Sequence, residues 1–334
     1  VVPLQSRPTG MVLTHDGKLL IAASTDATVF LDVQRMTGGG ENPVVGSLGG
    51  GSGSIYANVT ADDRLLFVSE ERARSIRVID LERARREGFK PAAVIGRIPT
   101  GIAPIALTFS ADGRWLYTTS EVAVPEWNWP KACRPEGRGG ADAPVTNPEG
   151  AVIVVDVIRA RTDPAGSVVA RVPAGCSPVR MAISPSGDRI YVTARNSNAV
   201  MAFDTRTLLS EAGRAAAAMA PAGDAPVPIA VVSEGTRVVV GNSNRFAAGD
   251  SPQYLVVLDA ARMREGLGAV LGVIPAGAFP REMSVSADGR TLFLTNFGSR
   301  TLQVFDLARL PIDPKLPPEI AQHAAALSHG GERK

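Results

Sequence analysis

Residues 281–306 read REMSVSADGRTLFLTNFGSRTLQVFD. Three short runs rich in apolar and β-branched residues are separated first by Ser-Ala-Asp-Gly, then by Asn-Phe-Gly-Ser-Arg. Runs of this length and composition suit strands packed on their faces. The Asp-Gly pair accepts the positive φ that a tight hairpin turn requires. The segment therefore reads as strand, hairpin turn, strand, polar loop and a third strand ending in Asp306.

The same unit recurs along the chain. Its hairpins are MVLTHDGKLLIAAS from Met11, IYANVTADDRLLFVSE from Ile55, IALTFSADGRWLYTTSE from Ile105, RMAISPSGDRIYVTAR from Arg180 and PIAVVSEGTRVVVGN from Pro228. The turn position falls at Gly17, Asp63, Gly113, Gly187, Gly235 and Gly289, so the steps are 46, 50, 74, 48 and 54 residues. Third strands end at Asp32, Asp80, Asp156, Asp204, Asp259 and Asp306, and all but the last repeat continue into a fourth apolar run. A period near 50 with four strands per unit predicts an all-β chain, a six-bladed β-propeller with four-stranded blades, seven being the alternative. Val1-Val2-Pro3 aligns with Val273-Ile274-Pro275, so the N-terminal strand is expected to complete the last blade and close the ring. The propeller is assigned to residues 1–310, and residues 311–334 to a tail with a short helix, EIAQHAAAL.

The IYVTARNSNAVMAFD and LFLTNFGSRTLQVFD stretches resemble the YVTN repeat, a lactonase-like β-propeller family of exported bacterial proteins. That resemblance covers nearly the whole chain. It implies a propeller in the periplasm or outside the cell, with a ligand face at the channel mouth and, in some relatives, lactone hydrolysis.

Composition narrows the partners. Net charge is +2 and no basic run interleaves with aromatic residues, which disfavours nucleic acid. No apolar stretch is long enough to span a bilayer. The first residue is Val, and a removed secretory signal would account for that. A monomer is expected.

Ligand sites of such folds gather on the loops from fourth to first strand and from second to third. In the former, Arg180, Arg281 and Glu282 follow a repeated Pro with charge, and they either line a channel or pair to seal it. In the latter, Arg195, Asn196, Asn242, Asn244 and Asn296 offer polar groups, though Asn also serves loop backbone. Glu70 and Glu121 break the Asn/Ser theme and are the candidate catalytic carboxylates. The third-strand aspartates precede helical turns and read as caps. Histidine is confined to His15, His323 and His329, which disfavours a Ser-His-Asp triad or a His-bound zinc. No cofactor is firmly implied; a cation held by Glu and Asn oxygens would be Ca2+.

The third repeat carries an insertion, residues 122–150, on the same face. It holds Trp127 and Trp129, a pair suited to a flat ligand or to anchoring a lid, and Cys133. Cys176 lies in the next fourth-to-first loop, so a Cys133–Cys176 disulfide would staple the insertion, in an oxidising compartment. Two functions fit. The first is a module binding a small molecule, glycan or protein at the polar channel mouth. The second is a hydrolase of cyclic esters, with a Glu base and Arg or Ca2+ at the oxyanion. Whether the chain is an enzyme is left open by its residues.

Overall fold

The computed structural model describes all residues except 1, 40–41, 138–142, 211–215, 245–252 and 331–334. The chain is all-β, with six blade sheets in antiparallel order and few helices; it is a six-bladed β-propeller. The first five blades have four strands each. Contacts divide the chain into two compact units, Val1–Glu126 with Val152–Arg171, and Trp127–Ala151 with Val172–Lys334.

The predicted hairpins form where the turn residues allow them. Gly17, Gly113, Gly187 and Gly289 sit at φ between 67° and 72°, and Asp63 takes the same left-handed region at 53°. An Asp tolerates that region better than most residues with a Cβ, which is why the second blade survives without its glycine. The fourth-to-first loop proline opens the first strand in four blades, at Pro8, Pro178, Pro226 and Pro280, with Ser54 replacing it in the second. Each third-strand Asp caps the turn that follows. Asp32, Asp80, Asp156 and Asp306 accept hydrogen bonds from the backbone N–H of Arg35, Arg83, Arg159 and Ala308.

Within the first unit, Ile21 and Phe30 of blade 1 pack against Ala57 and Val59 of blade 2. Within the second unit, Tyr191 and Val200 of blade 4 meet Ile229 of blade 5. In turn Val239, Leu255 and Val257 of blade 5 meet Met283 of blade 6. These face-to-face sheets make up the core.

Two features depart from the sequence reading. The sixth sheet has three strands, Pro280–Val285, Thr291–Asn296 and Thr301–Asp306. No fourth strand is assigned to it among the described residues. Val2 and Leu4 pack instead on Ala22, Val29 and Leu31 of the first blade, where an apolar cluster is already available to them; Val1 lies outside the described residues. The segment after Asp306 turns away as well. Asp313 exchanges two backbone hydrogen bonds with Val273 of blade 5, at 2.8 and 2.9 Å, and the C-terminal helix Pro318–Gly330 buries Ile320 in the core between blades 4 and 5. The Tyr254 hydroxyl donates to Glu319 (2.8 Å), and His323 meets Asp224 at 3.0 Å. The tail therefore acts as a strap over the second unit. No helix is long and apolar enough to cross a membrane among the described residues.

Candidate binding face of the second unit

Three contacts order the insertion, one within it and two to the loops of blade 4. Lys131–Cys133 pairs with Asn147–Pro148 as a short antiparallel ladder. Cys133 and Cys176 form a disulfide with Cα atoms 5.6 Å apart, and the Cys176 N–H donates to Ser197 Oγ at 2.9 Å. Third, the loop after the second strand of blade 4 grips the insertion with side chains. Asn196 Nδ2 donates to the Arg134 carbonyl (2.8 Å), and buried Arg195 forms a two-pronged ion pair with Glu136. Arg195 and Asn196, expected to meet ligand, thus spend these bonds on the insertion. The sequence carried no signal for Glu136 as the partner, because a 59-residue separation sets no register between them.

Trp127 and Trp129 are half-buried, with ring centroids 5.2 Å apart and planes at 55°. Each ring packs against the other and still keeps some surface open. Glu149, at the foot of the insertion, is a carboxyl that sequence reading passed over. Burial pushes its pKa up, against the lowering effect of a hydrogen bond from the Gly175 backbone. A carboxyl raised in this way favours the folded state fully below the ordinary glutamate range, and that contribution is lost as pH rises through the folded pKa. The Glu149→Gln variant is therefore expected to melt at a higher temperature than the parent above that window. Below it the two should melt together. Calorimetry across pH checks this, and an identical pH profile for both would count against the reading.

Arg180 and Glu282 do meet. Arg180 is buried, and its Nε and Nη2 donate to Glu282 Oε2 at 3.3 and 3.2 Å. The pair joins blades 4 and 6, the sealing alternative of the sequence reading. Asn242 is buried beside Tyr254, and both approach Gly223 closely; the Asn244 N–H donates to the Asp224 carbonyl.

Arg281 and Asn296 are brought together in a cleft of 610 Å3 at the loop end of blade 6. Its other walls include Phe297, Arg300 and Thr301. Phe297 stands 69% exposed, edge-on to Phe279 at 5.5 Å, and the Arg281 guanidinium lies 5.9 Å from the Phe279 ring. Asn296 is 1% exposed; its Nδ2 donates to Thr301 Oγ1 and Gln303 Oε1, while its buried Oδ1 has no hydrogen-bond partner. The lining holds two guanidiniums and no carboxylate. Phe297 and Arg300 were visible in the sequence as part of the loop, but a loop of Gly, Ser and Asn gave no reason to single them out.

In the first unit, Glu121 is half-buried at the end of strand Trp115–Val122. Glu70 is fully buried. Its carboxylate lies 3.1 Å from Arg77 Nε and 2.9 Å from Arg97 Nε. Two guanidiniums on one buried carboxylate tie neighbouring strands of blade 2 together and shield it from water.

No protein-family model and no curated protein matches the chain. Solved structures do match. A provisionally named 6-phosphogluconolactonase from Bacteroides uniformis aligns with a TM-score of 0.65 at 16% identity, over 93% of this chain and 84% of that one. Another from Bacteroides fragilis gives 0.64 at 12%, over 91% and 82%. The Cps50 (Swd1) β-propeller domain of Myceliophteria thermophila gives 0.61 at 10%, over 90% and 83%. The shared fold is the β-propeller. At such identities the likeness is one of fold, and residues of the neighbours transfer no role to this chain.

Proposed function

We propose that this protein is an extracytoplasmic ligand-binding β-propeller that captures a small anionic molecule in the cleft of blade 6. The observation that carries the reading is the lining of that cleft: Arg281 and Arg300, an exposed Phe297 ring and a buried Asn296 carbonyl oxygen without a partner. Two guanidiniums attract a carboxylate or phosphate. The ring offers a stacking surface, and the orphan oxygen asks for a hydroxyl or amide donor, since leaving it buried and unsatisfied is costly. The ligand class is thus a planar or ring-bearing acid with at least one donor. The disulfide supports an oxidising compartment.

Titration calorimetry with 4-hydroxybenzoate, its neutral amide and gluconate tests this. Saturable binding of an acid, weakened about tenfold by Arg281→Ala through loss of a charge-assisted hydrogen bond, is the expected outcome. Equal binding of acid and neutral amide would refute it.

A second reading, hydrolysis of a cyclic ester, draws support from the names of the two Bacteroides neighbours. Glu121 is then the base to test, because Glu70 is closed off by its two arginines. A pH-stat assay on a lactone panel, with and without Ca2+, comparing the parent with Glu121→Gln, separates the two functions.

A further inference from the structure

The turn between first and second strands spans five residues in five of the blades, at 14–18, 60–64, 110–114, 184–188 and 286–290. Blade 5 uses four, 233–236. In the five longer turns an Asp accepts a hydrogen bond from the Ser or Thr hydroxyl that opens the turn, as Asp188 does from Ser184 in blade 4. Blade 5 reads Ser233-Glu234-Gly235-Thr236 and has no such Asp. Ser233 and Glu234 both take the left-handed region, at φ 51° and 55°, which favours glycine. Backbone strain of this kind collects at binding sites.

A cleft of 780 Å3 lies between this turn and that of blade 4. Every residue lining it belongs to the second unit, so the cleft is formed within that unit. It sits at the starts of the second strands, the opposite end from Arg195 and Asn242. Tyr191 lines its floor and is 1% exposed, in the same core cluster as Val200 and Ile229. Its hydroxyl has no hydrogen-bond partner among the described residues, and a buried polar group left unpaired is costly. Burial pushes the Tyr191 pKa up, and the charges of Arg189 and Asp188 also reach it.

The walls carry further polar groups that the protein itself does not use. The Arg189 and Arg237 guanidiniums and the Glu234 carboxylate make no ion pair or hydrogen bond among the described residues. Two other carboxylates are already engaged, Asp188 by Ser184 and Ser186, and Asp259 by the Ala261 N–H. Two guanidiniums thus face three carboxylates, which leaves no excess of positive charge to select an anion. Pro185 and Leu271 add apolar surface.

We propose that this cleft is a second binding site and that it takes a neutral saccharide. A sugar hydroxyl accepts from a guanidinium and donates to a carboxylate, so neighbouring hydroxyls match Arg189, Arg237 and Glu234. A further hydroxyl meets Tyr191, and the apolar wall receives the C–H face of the ring. The volume falls within the roughly 300–1,000 Å3 of small-molecule sites.

An array of immobilised neutral, sialylated and sulfated glycans, probed with the labelled intact protein, tests this. The soluble form of the best-retained glycan is then titrated by calorimetry. Neutral glycans are expected to be retained. Tyr191→Phe should weaken binding about fivefold and Glu234→Gln about tenfold, the loss of one neutral and one charge-assisted hydrogen bond. Tyr191→Phe should also melt no lower than the parent without ligand, because the hydroxyl it removes holds no partner; a purely structural hydroxyl would lower the melting temperature. An excess of 4-hydroxybenzoate, the acid offered to the blade 6 cleft, should not displace the saccharide. An array that retains no neutral glycan would overturn the proposal. So would affinity unchanged in both variants, or displacement by the acid.

Discussion

Replacing Glu70 by glutamine is expected to destabilise the first unit by about 3–5 kcal/mol, the cost of stranding a buried charge. Arg77 is the charge left behind. It is almost wholly buried and is held by Glu70 on one side, with Nη1 donating to the Gly49 carbonyl (2.8 Å) and Nη2 to Thr28 Oγ1 (3.3 Å) on the other. Burial pushes the Arg77 pKa down, and the Glu70 carboxylate is what opposes this. Arg97 also bonds Glu70, but it is 45% exposed and can turn to water. Removing both buried charges together, as Glu70→Leu with Arg77→Met, should therefore recover much of the loss, because packed apolar side chains replace buried ion pairs well. Urea unfolding of the parent, the single variant and the double variant measures both changes in stability. A single variant as stable as the parent would show that the cluster is not a closed one. It would then return Glu70 to the set of candidate bases.

Opening the Cys133–Cys176 disulfide should cost up to about 4 kcal/mol on the chain-entropy account, given a separation of 43 residues. The loss should fall mainly on the insertion. The bridge and the Arg195–Glu136 pair tie it to blade 4 independently and the Lys131–Cys133 ladder closes it on itself, so a Cys133→Ser, Cys176→Ser variant is expected to fold and to expose the insertion to protease. Limited proteolysis with and without reductant reads this directly. Cleavage within residues 127–150 that is no faster after reduction would show that the ion pair and the ladder suffice.

The blades were legible because each repeat says the same thing at several levels. Strand propensity, a Gly or Asp at the left-handed turn, a Pro at strand entry and an Asp cap recur in step in most blades; blade 5 turns instead through Ser233 and Glu234, and Pro104 of blade 3 lies inside its strand. The disulfide was legible because two cysteines leave one pairing, and the repeat placed them on one face. The last blade was not. Val1-Val2-Pro3 matches a fourth strand by pattern, but three residues carry no information about which sheet they join, and the apolar cluster at Ala22, Val29 and Leu31 receives Val2 and Leu4.

Site chemistry was legible only by type. The sequence offered an Arg–Glu pair among Arg180, Arg281 and Glu282 as one of two alternatives, and did not say that Arg180 is the one Glu282 meets. The partners of Arg195 and Glu70 were not offered at all, because Glu136 lies in an insertion with no repeat to index it, and Arg77 and Arg97 look like ordinary strand residues in sequence. The Asn296 oxygen is a further case. Its amino group is satisfied by Thr301 and Gln303, so only three-dimensional bookkeeping shows that the carbonyl end is left over.

A crystal structure of the protein with the tightest-binding acid of the calorimetric panel tests the central claim most directly. The account predicts a carboxylate between Arg281 and Arg300, its ring over Phe297 and a donor within hydrogen-bond distance of Asn296 Oδ1. Ligand density elsewhere, such as against the Trp127–Trp129 pair with the blade 6 cleft empty, would contradict it.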